Sequence, residues 1–122
     1  MILVDTSVWI DHLRDGEENL SALLRSGQVL AHPFVIGELA CGNLHQRTEV
    51  LGLLQKLPQA PLASQEEVLF FIQSNALMGR GIGFVDAHLL ASATLANASR
   101  VWSRDKSLER VATDLHLGYQ EL

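Results

Sequence analysis

One cysteine, Cys41, stands in a chain of 122 residues, which excludes an intrachain disulfide and a cysteine-based zinc cluster. In Glu38-Leu39-Ala40-Cys41-Gly42 it reads as a small packing residue, since a nucleophilic thiol would need a histidine partner. No apolar run approaches the roughly 18 to 20 residues of a membrane span, and the N-terminus lacks the charged region of a secretory signal, so a cytoplasmic address is expected. Basic surplus is also missing: 9 Lys and Arg face 14 Asp and Glu, for a net charge of −5. That sign argues against nucleic-acid affinity supplied by the protein's own surface. It does so less if several acids belong to a cation site, whose bound ion changes the charge a substrate meets. The five histidines show no His-x-x-x-His spacing and read as mostly structural. Gly79-Arg80-Gly81-Ile82-Gly83 lacks the spacing and the preceding strand of a dinucleotide-binding loop.

What is present is apolar material, 48% of residues against 19% charged, enough for one compact core and a single domain over 1–122. Apolar runs at Ile2-Leu3-Val4, Gln28 to His32 and Val101-Trp102-Ser103 read as strands, and Gly118 to Leu122 as a possible edge strand. Helices are expected over Ser7 to Arg14, Glu17 to Ser26, Pro33 to Leu44 and Gln46 to Leu57. Pro58 and Pro61 bracket a turn, after which Ser64-Gln65-Glu66-Glu67 has capping-box spacing before a helix reaching Met78. Two more helices follow, one from Phe84 or Val85 through Ala96 and one over Lys106 to Leu115. Strands alternating with helices, without a hairpin signal or an internal repeat, predict a three-layer α/β/α sandwich on a mostly parallel sheet of four or five strands.

Four carboxylates interrupt apolar sequence. Asp5 ends the first strand and is followed by Thr6 and Ser7, at the place where open α/β sheets bind ligands. Taken alone, Asp5 or Thr6 reads equally well as a helix cap. Glu38 lies among Val35, Ile36, Leu39 and Ala40, where a solvent-facing orientation is the plain alternative. Asp86 opens a helix among Phe84, Val85, Ala87, Leu89 and Leu90, and a charge there is worth about 0.3–1 kcal/mol against the helix dipole alone. Asp105 follows Val101-Trp102-Ser103. Together, four such acids point to a shared site, because clustered carboxylates repel unless a cation joins them. An oxygen-only ligand set suits Mg²⁺, or Mn²⁺, better than zinc.

Leu3-Val4-Asp5-Thr6-Ser7-Val8-Trp9, Glu38-Leu39, Asp86-Ala87-His88-Leu89-Leu90-Ala91-Ser92-Ala93 and Trp102-Ser103-Arg104-Asp105-Lys106 resemble, in order and spacing, the four blocks of PIN-domain ribonucleases of the VapC toxin family. The resemblance spans essentially the whole chain. It implies a PIN fold in which Asp5, Glu38, Asp86 and Asp105 are the catalytic acids, with Asp5, Asp86 and Asp105 as metal ligands. The activity implied is endonucleolytic cleavage of tRNA or rRNA by a metal-activated water, leaving 5′-phosphate and 3′-hydroxyl ends. It further implies a homodimer neutralised by a cognate VapB antitoxin. Ser7 and Ser103 match positions whose hydroxyls orient a carboxylate or a bound water, and each reads equally well as a helix cap. One departure is Ser107, where many relatives carry a further acid that would serve a second metal.

Arg80, Arg104 and Lys106 lie beside the acidic blocks as possible phosphate contacts, while Trp9 and Trp102 read as core rather than base-stacking residues. Leu13, Leu20 and Leu24 offer apolar surface to a partner, or else belong to the core. Two rivals compete with the nuclease. A phosphatase of the haloacid-dehalogenase type would need an acid at Ser7, and a catalytically idle PIN module that binds RNA or sequesters an antitoxin would ordinarily have lost acidic positions.

Overall fold

Ile2, Leu3 and Val4 form a strand too short to stand alone, and it is stabilised by a parallel neighbour on each side. The computed structural model describes residues 1–121. In it β1 (Ile2–Val4) lies between β2 (Val29–Leu30) and β3 (Arg100–Trp102), giving the order β2-β1-β3. Ile2 is in register with Val29 and Arg100, and Val4 with Trp102. Leu3, Val4, Val29, Val101 and Trp102 are all buried, as strands covered on both faces require. The chain crosses from β2 to the far side of β1 before forming β3. The reversal of direction therefore falls at the carboxyl end of β1, where an open α/β sheet leaves a crevice.

Seven helices occupy the described residues: α1 (Thr6–Asp15), α2 (Glu18–Arg25), α3 (Pro33–Ala40), α4 (Arg47–Lys56), α5 (Gln65–Ser74), α6 (Phe84–Leu95) and α7 (Lys106–Asp114). α3 packs on both α1 and α4, α5 packs on α6, and α6 and α7 both touch β3. α6 is the central helix. Every residue from Ala87 to Ala93 is buried, and its alanines and Ser92 allow close approach to the neighbouring elements. Among the described residues no helix is long and apolar enough to cross a membrane.

The sheet has three strands rather than four or five. The segment expected as an edge strand makes only one parallel bridge, Gly118 to Val101, because Gly118 lies against Thr113 while the Tyr119 ring packs on Trp102 at 5.0 Å. Leu122, the last residue of that expected strand, lies outside the described residues. Ala31 likewise makes an isolated bridge to Gln59, in the turn between Pro58 and Pro61. α3 ends at Ala40 rather than Leu44, and Cys41, at its C-cap, is exposed and not a packing residue. Leu20 is wholly buried, which removes it from any partner surface and leaves Leu13 and the half-buried Leu24.

Both halves of the capping box are made at α5: the Glu67 amide donates to Ser64 Oγ at 3.1 Å and the Ser64 amide donates to Glu67 Oε1 at 2.8 Å. The helix stops at Ser74, short of Met78, because the Leu77 amide turns back to the Ile72 carbonyl and buries Leu77. That return puts Ala76 in the left-handed region at φ 52°. A side chain there costs roughly 1–2 kcal/mol, offset in part by the greater entropy that glycine loses on folding. Ala76→Gly should therefore raise stability by about 0.5–1 kcal/mol. A higher urea midpoint at unchanged m-value would register the gain, and a lower midpoint would mean that the strain is absent.

His32 caps α3, its Nδ1 accepting from the Phe34 amide at 3.0 Å while Nε2 lies 3.0 Å from Ser92 Oγ. Burial lowers the His32 imidazole from 6.5 to about 4, and the nearby His88 adds to the effect. An unfolded chain then takes up a proton that the folded chain refuses, so stability is intact above pH 6.5 and falls as pH drops toward 4. The loss should approach about 3 kcal/mol. His32→Asn retains a capping acceptor without a titrating ring, and denaturation across this window should show a flatter pH dependence; an unaltered slope would assign the titration elsewhere.

Candidate active site

Asp5 occupies the N-cap position of α1 without capping it. Its amide continues the sheet ladder to the Trp102 carbonyl at 2.9 Å, and its carboxylate turns toward the end of β3. Oδ2 accepts from Ser7 Oγ at 3.0 Å and from Ser103 Oγ at 2.8 Å. Each hydroxyl is fixed in turn: Ser7 Oγ accepts from the Arg104 amide and Ser103 Oγ from the Asp105 amide, both at 3.0 Å. A buried carboxylate is thus oriented by two hydroxyls from opposite ends of the sequence, without a cation to cancel its charge.

The other three acids are each held by one neutral donor. Glu38, exposed on α3, accepts from Thr6 Oγ1 at 2.7 Å. Asp86, half-buried in the first turn of α6, accepts from the Gly83 amide at 3.1 Å. Asp105, exposed at the N-cap of α7, accepts from the Leu108 amide at 3.0 Å. Burial raises the Asp86 pKa above its ordinary 3.8, the Gly83 amide works against that rise, and Asp5, Asp105 and Glu38 raise it further. Four acids from β1, α3, α6 and the β3–α7 junction therefore share one electrostatic environment.

Among the described residues no three acidic, histidine or cysteine side chains form a ready-made metal cage. The donor set fits a hard divalent cation nonetheless. Mg²⁺ retains several waters and binds through one or two carboxylates, so an open group of oxygen ligands is the arrangement it takes.

The basic residues are placed unevenly. Arg80 is paired with Asp114 at 2.6 Å, and the guanidinium of Arg104 is engaged by Asp11, Glu17 and Glu121. Both of these possible phosphate contacts are thus engaged in ion pairs with acids of the chain. Lys106 is exposed beside Asp105 and makes no ion pair among the described residues. The loop before α6 is tied to α7 by Arg80 and by the close approach of Gly81, where a side chain would be strained at φ +84° and its Cβ, 3.0 Å from Ser107 Oγ, would force that hydroxyl to give way. Ser107 therefore faces this loop. Trp9 and Trp102 are core residues.

Sequence reasoning missed Thr6 as the partner of Glu38 and missed the three acids around Arg104. Thr6 was read only as a possible cap, and Asp11, Glu17 and Glu121 look like ordinary surface charges. Their pairing appears only when α1, the start of α2 and the C-terminal segment meet.

Comparison with known proteins shows the family and the fold. The family profile described as PIN domain matches residues 2–114. Ribonuclease VapC32 of Mycobacterium tuberculosis, from strain CDC 1551 / Oshkosh and from strain ATCC 25618 / H37Rv, is 47% identical over 114 residues, covering 93% of this chain and 92% of the relative. Among solved structures, the crystal structure of FitAcB from Neisseria gonorrhoeae aligns with TM-score 0.63 and 21% identity over 93% of this chain and 94% of the other, a likeness of fold. The chain belongs to the PIN-domain family, within its VapC ribonuclease group.

Proposed function

We propose that this chain is a Mg²⁺- or Mn²⁺-dependent endoribonuclease, the toxin of a VapBC-type pair, acting on tRNA or rRNA through Asp5, Glu38, Asp86 and Asp105. The observation that carries this reading is the convergence of those four acids at the switch point of the sheet, where burial raises the Asp86 pKa and Asp5, Asp105 and Glu38 add to the rise. Such repulsion is relieved by a cation. The name carried by the 47% identical relative supports the ribonuclease assignment.

Asp5, Asp86 and Asp105 are the residues that would hold the ion. When bound, a divalent cation supplies a nucleophilic hydroxide at neutral pH and neutralises charge on the phosphodiester. Ser7 and Ser103 fix Asp5 Oδ2 and leave its second oxygen for a further contact. Thr6 sets the direction of Glu38, and Lys106, exposed beside Asp105, is the basic side chain that would meet a phosphate oxygen.

Ile10 and Leu13 are exposed on α1 beside Glu38, and with Leu39 and Leu44 they line a groove suited to the apolar residues of a VapB antitoxin. Phe70, Leu69 and Leu95 are exposed elsewhere on α5 and α6 and supply apolar surface for a homodimer.

Incubation of the protein with total tRNA and with rRNA should give cleavage with Mg²⁺ or Mn²⁺ and none with EDTA, leaving 5′-phosphate and 3′-hydroxyl ends. Asp5→Asn should lower the rate by at least about 100-fold, the scale of losing one positioned electrostatic group. Cleavage unaffected by EDTA and by Asp5→Asn, or 2′,3′-cyclic phosphate products, would sink the mechanism. No cleavage by folded wild type under any of these conditions would favour the idle module.

The charged state of Asp86 is disfavoured in the fold, so the metal-free protein loses stability as pH rises from 3.8 through the raised Asp86 value. Asp86→Asn retains an oxygen for the Gly83 amide and should raise the Tm of the metal-free protein at pH 7. Added Mg²⁺ should raise the Tm of wild type much more than that of the variant. Equal Mg²⁺ responses would remove Asp86 from the metal site.

A further inference from the structure

Arg104 stands between two residues of the site, Ser103 and Asp105, yet its side chain points away from them into a nest of carboxylates. Nη1 donates to Asp11 Oδ2 at 2.7 Å. Nη2 meets Glu121 Oε1 at 2.8 Å and Glu17 Oε2 at 2.7 Å, and Nε donates to Glu121 Oε2 at 3.3 Å. The Glu121 contact is the two-pronged form that an arginine fork makes and a lysine cannot. The guanidinium carbon also lies 5.7 Å from the centre of the buried Trp102 ring, within cation–π range. Its side chain is 26% exposed, so these pairs are shielded more than ordinary surface ion pairs.

The three acids come from three places: α1, the residue before α2, and the C-terminal segment. One side chain therefore pins the short stretch after β3 to three separate parts of the fold. The backbone of that stretch carries the site. The Arg104 amide donates to Ser7 Oγ, and Ser7 Oγ donates to Asp5. The next amide donates to Ser103 Oγ, which also donates to Asp5.

We infer that Arg104 is a positioning residue for the proposed nuclease site: its clamp on Asp11, Glu17 and Glu121 sets residues 103–105 so that Ser7, Ser103 and Asp105 are correctly placed, and it does not bind the RNA phosphate. The inference rests on the nuclease reading for its catalytic consequence and on geometry alone for the clamp. A phosphate ligand would have to leave four contacts with three carboxylates, all desolvated to some degree, to reach a substrate.

The test compares wild type with Arg104→Lys, Arg104→Gln and Glu121→Gln, the last being a mild surface change that keeps the arginine. Steady-state cleavage is measured over a range of salt concentration, and amide hydrogen exchange is measured on the same proteins without metal or RNA. A positioning role predicts that Arg104→Gln and Glu121→Gln both lower kcat, by about 10-fold or more for Arg104→Gln. Arg104→Lys should recover only part of that loss. KM should shift less than about twofold, the salt slope of binding should be unchanged, and the amides of Arg104 and Asp105 should exchange faster while Leu3 and Val4 stay protected.

A phosphate contact predicts the reverse. Arg104→Gln would raise KM and reduce the salt slope by about one, and Glu121→Gln, by freeing the arginine, would lower KM. That pattern overturns the inference, as does faster exchange with kcat unaltered, or no change in either. If wild type cleaves no RNA, the nuclease reading falls, while the exchange rates still decide whether the clamp orders residues 103–105.

Discussion

Repulsion between carboxylates is the constraint around which the polar part of this molecule is arranged. Asp5, Glu38, Asp86 and Asp105 carry like charge, and what holds each in place is a set of neutral donors. Two serine hydroxyls serve Asp5, a threonine hydroxyl serves Glu38, and backbone amides at the starts of α6 and α7 serve Asp86 and Asp105. A neutral donor fixes direction without cancelling charge. The arginines that could have cancelled it are engaged by other acids, Arg80 by Asp114 and Arg104 by Asp11, Glu17 and Glu121. The negative potential is thereby kept for something that comes from outside.

The fold brings that potential to one place at small structural expense. Three strands of two or three residues suffice because each ends near the same crevice, and β1 in the middle is fixed on both sides. Hydrogen bonding along the ladder continues one residue past β1, so Asp5 has its backbone in the sheet and its side chain in the site. The buried small residues of α6 let that helix lie close beneath, carrying Asp86 at its first turn.

Much of this was readable in the sequence where a residue conflicted with its surroundings. A carboxylate in an apolar run is costly, and four of them stood out for that reason. The Ser64–Glu67 box was legible because both of its bonds are local. The end of α5 was not, since Ala76 takes a left-handed conformation only because Leu77 is drawn into the core. The fourth and fifth strands failed for a related reason: Leu117 and Tyr119 have strand character, yet packing on Trp102 and the contact of Gly118 with Thr113 limit the pairing to one bridge. The Arg104 clamp joins residues 17 apart on one side and about 90 apart on the other, and no local pattern marks it. Cys41 was misjudged because α3 ends at Ala40 and leaves it exposed at the C-cap.

The bond from Ser103 to Asp5 spans 98 residues of sequence. During synthesis the N-terminal strand leaves the ribosome first, and chains fold from that end as they emerge. Asp5 then waits, without its second hydroxyl and without Asp105, until residues 103–105 have been made and have emerged. The acidic cluster therefore comes into being only after β3 has emerged and paired with β1.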